Sequence, residues 1–257
     1  MANVPVGLQF YTVRDEAAKD FAGAMRRVAA LGYAGVELAG TGGLSAAAMR
    51  DLLAETGLAL AGSHVPVTEF ETNLDDVIAY YAAVGALRVG VPYLPGERQN
   101  PEGFRALAAM MNAVGARLRE AGMDLYYHHH AFEFDKHDAG DGVVTGMDIL
   151  LRETDPALVT IECDVYWVRH AGLDPAAFIR QHPGRFPLVH LKDMTPEGSE
   201  GHTFAEVGEG VIDFAPIFAA SEAQDVEWYI VEQDRCARPC FESARMSLEN
   251  LREWGKA

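Results

Sequence analysis

A run of histidine and carboxylate, Tyr126-Tyr127-His128-His129-His130-Ala131-Phe132-Glu133-Phe134, closes a short apolar stretch at 123–127 that reads as a buried β-strand. Successive side chains of a strand point to opposite faces, so Tyr126, His128 and His130 share one face and Tyr127 and His129 the other. Three further hydrophobic segments end in Asp164, His190 and Glu232. Imidazoles and carboxylates are the donors that a hard or borderline divalent metal takes as ligands. Chemistry at these residues requires a fold that gathers four strand ends in one place.

The elements that must position them alternate along the chain. Strands are predicted over 4–10, 34–38, 58–64, 86–91, 123–127, 158–164, 186–192 and 227–232. Between them, apolar residues recur at helical spacing, as in Phe21, Met25, Val28 and Leu31 before Gly32. Ser45 and Asp213 stand where helix caps belong, and a helix over 101–121 carries proline in its first turn. Further helices are predicted over 144–152, 175–181 and 241–254, with polar loops at 135–142 and 195–210. The second loop is long enough to suggest a functional role. Eight strand–helix alternations with no break in composition predict a single α/β domain over 1–257, a closed (β/α)8 TIM barrel. Such barrels place their chemistry at the carboxyl ends of the strands. Gln9, Tyr11, Glu37, His64, the segment His128 to Glu133, Asp164, His190, Lys192, Glu232 and Asp234 all fall there. Parity turns Thr160, Glu162 and Asp164 inward together, and Glu232 with Asp234.

Bulk charge narrows the partners. Acidic residues outnumber basic ones 38 to 21, a net charge of −17. That balance disfavours nucleic acid and anionic membranes as partners, and with them phosphodiester cleavage of DNA. No apolar run reaches the length of a membrane span. The first residues, Met1-Ala-Asn-Val-Pro-Val-Gly7, lack the basic and apolar regions of a signal peptide. Cys163, Cys236 and Cys240 make no disulfide framework. A cytoplasmic protein with reduced thiols is expected, and a homodimer is admitted.

Several motifs, each on its own strand end, resemble one family over essentially the whole chain. They are Gly7-Leu-Gln-Phe-Tyr-Thr-Val-Arg-Asp15, Gly35-Val-Glu-Leu38, Tyr127-His-His-His-Ala-Phe-Glu-Phe134, Ile161-Glu-Cys-Asp-Val-Tyr-Trp167, Val189-His-Leu-Lys-Asp193, Val207-Gly-Glu-Gly-Val-Ile-Asp213 and Val231-Glu-Gln-Asp234. Together they resemble the xylose-isomerase-like barrels of the sugar phosphate isomerase/epimerase superfamily. In the epimerases of that superfamily, Glu, Asp, His and Glu from the fifth to eighth strands hold a metal. Asp164, His190 and Glu232 match, whereas the first Glu falls at or beside His128. The resemblance implies a divalent metal ion (Mn, Mg, Co, Zn or Fe) on His128, Asp164, His190 and Glu232. Ketose epimerases use two metal-bound glutamates on opposite faces of the substrate. Here one of the pair is a histidine, with Glu133 five residues on as its substitute. The triple histidine also resembles inosose dehydratase, a lyase of the same superfamily, whose reaction needs one base and an acid.

The reading that follows is a metal-dependent isomerase or epimerase of a sugar or sugar phosphate, working through an enediolate. Its alternative is a metal-dependent dehydratase acting on a keto-sugar or keto-cyclitol such as an inosose. Either takes a small carbohydrate or cyclitol. Glu232 or Glu133 serves as general base. Gln9, Tyr11, Glu37, His64, His130, Trp167, Lys192 and Asp234 are the expected substrate contacts, and His129 is expected to be structural. A sugar-binding protein without catalysis is disfavoured by the intact Asp164/His190/Glu232 set.

Overall fold

In the computed structural model of the chain, which describes residues 4–138, 142–198 and 201–257, eight parallel strands close into a barrel. They are β1 Val6–Gln9, β2 Gly35–Ala39, β3 Ala59–His64, β4 Arg88–Val91, β5 Asp124–His128, β6 Val159–Asp164, β7 Leu188–Leu191 and β8 Trp228–Val231. Each pairs with its sequence neighbours, and β1 closes the ring on β8. All eight lie where alternation places them, with ends that differ by no more than two residues.

The surrounding helices begin where side chains can take up free backbone N–H groups. Asp20, Ser45, Asn100, Asp174 and Asp213 accept such bonds at the helices Phe21–Leu31, Ala46–Thr56, Pro101–Glu120, Pro175–Gln181 and Phe214–Glu222. The last helix is Cys240–Glu253. Two six-residue helices have no counterpart in the sequence reading, Val67–Thr72 and Val165–His170, and neither has the single turn Arg14–Ala17. All three are under two turns, too short to register as helical periodicity. The stretch before Gly146–Glu153 forms an antiparallel ribbon, Lys136–Asp138 with Val143–Thr145, so that helix starts at 146 rather than 144. The loop expected at 195–210 is tied at its base by a second ribbon, Asp193–Met194 with Phe204–Ala205. Residues 1–3, which precede the first predicted strand, and 139–141 and 199–200, which fall in the two predicted loops, lie outside the described residues. Among the described residues, no helix is long and apolar enough to cross a membrane.

Apolar side chains fill the layer between strands and helices, with Val36, Leu38, Ile161, Val189, Leu191 and Val231 among the residues facing outward. The barrel interior is polar instead. Gln9, Glu37, Glu162, Asp164, His190 and Lys192 are all fully buried. Tyr126 crosses this interior, and two glycines make the space: a Cβ on Gly62 would lie 2.6 Å from its hydroxyl, and one on Gly90 2.2 Å from its ring. Such spacing is well inside van der Waals contact, so β3 and β4 need glycine there.

Candidate metal centre

Strand β5 delivers His128 inward, its Nε2 3.3 Å from Asp164 Oδ2 and its Nδ1 3.3 Å from the carbonyl oxygen of Pro92. Asp164 ends β6 and caps the short helix after it. Its Oδ1 accepts the backbone N–H groups of Tyr166 and Trp167 at 3.0 and 3.1 Å, which leaves Oδ2 for the interior. His190, on β7, has carboxylates on both sides. Nδ1 lies 3.0 Å from Glu232 Oε2 and 3.7 Å from Asp164 Oδ2, while Nε2 lies 2.7 Å from Glu37 Oε2 and 3.1 Å from Glu162 Oε2.

Two groups of four donors result. In the upper one, His128, Asp164, His190 and Glu232 each place a donor atom within 4.8 Å of the others, and the lower one joins Glu37, His64, Glu162 and His190 by the same measure. His64 completes the lower group, its Nε2 3.0 Å from Glu162 Oε2 and 3.3 Å from Glu37 Oε1. Lys192 sits beside the upper group, Nζ 3.0 Å from Asp164 Oδ2, 2.8 Å from Glu232 Oε2 and 2.7 Å from Asp234 Oδ2.

The upper group fits a divalent metal by its chemistry. Two imidazole nitrogens and two carboxylate oxygens suit a borderline ion, and all four residues are buried. Charge supports the fit. The interior holds five carboxylates, Glu37, Glu162, Asp164, Glu232 and Asp234, against Lys192 and the imidazoles of His64 and His190, whose charged forms those carboxylates favour, and Glu162 Oε1 is buried with no hydrogen-bond partner. Uncompensated buried charge is strongly unfavourable, and a divalent cation offsets it. Burial opposes ionisation of Asp164 and Glu232, but Lys192 and the imidazoles outweigh it and hold both carboxyls well below the usual carboxylate range. Burial would likewise depress Lys192, yet Asp164, Glu232 and Asp234 hold its ammonium well above the ordinary lysine value.

A cavity of about 540 Å3 opens above the upper group, lined by Tyr11, His64, His128, His130, Glu232 and Asp234 among others. These are residues the sequence singled out, and the barrel brings them together. Trp167 lies behind His130, its ring 5.4 Å from that of His130 and 5.4 Å from Lys192 Nζ. Gln9 and Glu37 lie beneath the cavity instead. Gln9 Nε2 donates to Glu37 Oε2 at 2.6 Å, and the Tyr126 hydroxyl donates to Glu37 Oε1.

Glu133 is not brought to this cluster. It is fully buried, accepting from the Tyr127 hydroxyl at 2.7 Å and from the backbone N–H of His130 at 2.8 Å. Burial without a cation nearby pushes its carboxyl up to about 8. Its partner Tyr127 packs into the strand–helix layer, and that fixes the side of the wall on which Glu133 lies. His129 is the strut expected from parity. Its Nε2 accepts the backbone N–H of Asp164 at 3.1 Å, so Nδ1 carries the proton and donates to the His130 carbonyl at 3.1 Å. Burial holds this imidazole down at about 4, and it is neutral.

Four residues of the site region have no part in the sequence-derived set. Glu162 and Tyr126 share inward parity with Asp164 and His128, and a charged or hydroxylated residue inside a buried strand was the available signal. Tyr93 lines the cavity from the loop after β4. Asp193 clamps the loop after β7, Oδ1 accepting N–H bonds from Met194 and Ile212 and Oδ2 from Gly208 and Gly210, all at 2.7–3.1 Å.

Comparison with known proteins agrees with this architecture. A family profile described as xylose isomerase-like TIM barrel matches residues 25–254. Inosose dehydratase of Geobacillus thermodenitrificans is 32% identical over 162 residues, 56% of this chain and 52% of that protein. Inosose dehydratase of Clostridium beijerinckii is 30% identical over 173 residues, 60% of this chain and 55% of that protein. The chain thus spans about half the length of the curated relatives it matches. Among solved structures, a sugar phosphate isomerase/epimerase from Parabacteroides distasonis superimposes with a TM-score of 0.82 at 23% identity, covering 98% of this chain and 94% of that one. At that identity the likeness shows the fold.

Proposed function

Because the chain belongs to the xylose isomerase-like TIM barrel family, we propose that it is an enzyme that removes a proton beside the carbonyl of a small polyhydroxylated substrate, a keto-sugar or keto-cyclitol. His128, Asp164, His190 and Glu232 would hold a divalent metal. When bound, such an ion supplies Lewis-acid stabilisation of the negative charge that develops on the substrate's carbonyl oxygen.

Glu232 is the general base. It lines the cavity, and Lys192 and His190 keep it ionised. The carbon–hydrogen bond beside the carbonyl breaks, the proton goes to Glu232, and the electron pair enters the enediolate. His130 Nδ1 and Trp167 Nε1 are buried without partners and are free to take up substrate hydroxyls. Tyr11, His64 and Asp234 line the same space, and the Trp167 ring, beside His130, offers an apolar surface to a sugar face.

The observation that carries the preference between outcomes is the placement of the carboxylates. Among the described residues that line the cavity, those bearing carboxylates are Glu232 and Asp234, both from the end of β8. Facing them from β5 are imidazoles, and Glu133 is walled off behind Tyr127. Epimerisation by two opposed carboxylates therefore lacks its second base. Loss of a β-hydroxyl needs one: the carbon–oxygen bond breaks as the carbon–carbon double bond forms, and the proton from Glu232 leaves with the hydroxyl as water. The dehydratase reading is favoured on this ground, and the likeness to inosose dehydratases supports it. Isomerisation stands second, because one carboxylate can also carry a proton between adjacent carbons.

Proton exchange followed by NMR in deuterated water tests this. The protein, loaded with Mn or Mg, is offered ketoses, keto-cyclitols and 3-keto-sugars. Metal-dependent deuterium incorporation with a dehydrated product supports the lyase. Incorporation with an isomeric product moves the reaction to isomerisation, and no exchange on any compound despite bound metal refutes the catalytic proposal.

A further inference from the structure

Glu37 is fully buried, takes no part in lining the cavity, and is held more elaborately than a packing residue requires. Four strands converge on it, His64 Nε2 from β3 lying 3.3 Å from Oε1. Gln9 from β1 donates to Oε2, Tyr126 from β5 donates to Oε1, and His190 Nε2 from β7 stands 2.7 Å from Oε2. The glycines at 62 and 90 exist in contact with Tyr126, so β3 and β4 also give up side chains to let that hydroxyl reach Glu37.

His190 explains the investment. A neutral imidazole has a single lone pair, and the ring nitrogen that carries hydrogen must find an acceptor. For Nδ1 to turn a lone pair toward an ion shared with Asp164 and Glu232, Nε2 must carry the hydrogen, and Glu37 Oε2 is the nearest acceptor, ahead of Glu162 at 3.1 Å. A carboxylate behind a metal-bound histidine fixes the ring's tautomer and orientation and makes the facing nitrogen a better donor. Resting on the metal reading above, we propose that Glu37 is the positioning residue of the upper group. It aims His190 Nδ1 at the ion and makes no substrate contact, while Tyr126 and Gln9 hold it in place. The lower group of Glu37, His64, Glu162 and His190 is then the support of a single ion and has none of its own.

Cobalt(II) titration of the full chain, followed by its d–d absorption and by metal analysis, tests this without turnover. Wild-type protein should take up a single cobalt. Glu37→Gln keeps the size and an acceptor oxygen but removes the charge, and should weaken binding roughly 10- to 100-fold with a changed absorption spectrum. A merely structural role would move the thermal unfolding of the metal-free protein and leave the spectrum alone, which overturns the proposal. So does wild-type affinity and spectrum in Glu37→Gln. Should that variant fail to fold, Tyr126→Phe carries the test: a weaker site with a changed spectrum supports the positioning role, and wild-type values overturn it. Two cobalt ions per wild-type chain, with one lost in Glu37→Gln, would make Glu37 a ligand and refute the inference. Wild-type protein that takes up no cobalt defeats the metal reading itself, a result distinct from the others.

Discussion

At the end of β5 the inner and outer faces carry the same residue types and come to opposite electrical states. Inside, Tyr126 donates to Glu37 and His128 meets Asp164, among carboxylates from three other strands and the ammonium of Lys192. Outside, Tyr127, His129 and Glu133 bond to one another and to backbone groups. Burial is equally complete on both sides, but only the inner face has counter-charges. There Glu37, Asp164 and Glu232 stay ionised. On the outer face burial acts nearly alone, lowering His129 to about 4 and raising Glu133 to about 8. One step along the strand separates the two environments. Residue type states what a group can do, and the face it occupies decides whether it meets a partner of opposite charge.

The comparison would break most visibly at Glu232. Glu232→Gln keeps the shape of the inner cluster without its base, and turnover should fall by about 100- to 10,000-fold in a protein with an unchanged circular-dichroism spectrum. Near-normal turnover with metal bound would place the base elsewhere. Next come the paired substitutions His128→Ala and His129→Ala, read by calorimetric titration with Mn. Losing His128, a ligand in the proposed site, should weaken binding by more than roughly 100-fold, since even the outer partners of a ligand cost 10- to 100-fold. Removing His129 should leave affinity within roughly tenfold of wild type. Its cost should appear as about 1–3 kcal/mol of lost stability, because the Asp164 N–H and the His130 carbonyl are stranded in the interior. Equal effects on metal binding would erase the distinction between the faces.

The mildest test uses pH. Glu133 moves from an ordinary 4.5 to about 8 on folding. Its pKa is raised in the fold, so its contribution is fully present below pH 4.5 and is lost as pH rises to about 8. Through that window it should remove up to about 1.4 kcal/mol of stability per pH unit. Glu133→Gln cannot ionise, and its unfolding free energy from urea titrations should fall less steeply from pH 5 to pH 8. Parallel profiles for the two proteins would show that Glu133 is not the buried acid described.

Much of this was legible along the chain. The eight strands were readable because each is a short apolar run with polar residues at its end, and Asp164, His190 and Glu232 were readable because strand parity turns them inward. His129 followed from the same rule. Val67–Thr72 and Val165–His170 were not readable, being too short to show periodicity. The second of these carries a consequence: the helix that Asp164 caps is what engages Oδ1 and leaves Oδ2 to the interior. Glu162 had the right parity and Tyr126 the right face, but parity alone says nothing of depth, and depth separates a cavity-lining residue from one beneath it. Glu37 was expected among the substrate contacts for that reason and lies beneath the cavity.

The sequence by itself determined the residue types, their order on successive strands and the face each one takes, because those depend on local backbone geometry with a period of two. Only the closed barrel decided who meets whom. Glu37 and His190 are 153 positions apart and His64 and Glu162 are 98 apart, and each pair faces across the barrel rather than along a strand. Closure also put Glu133 behind the wall although it is five residues from His128. Loop direction after a strand end is set by packing against Tyr127 and the helices, and no local pattern encodes it.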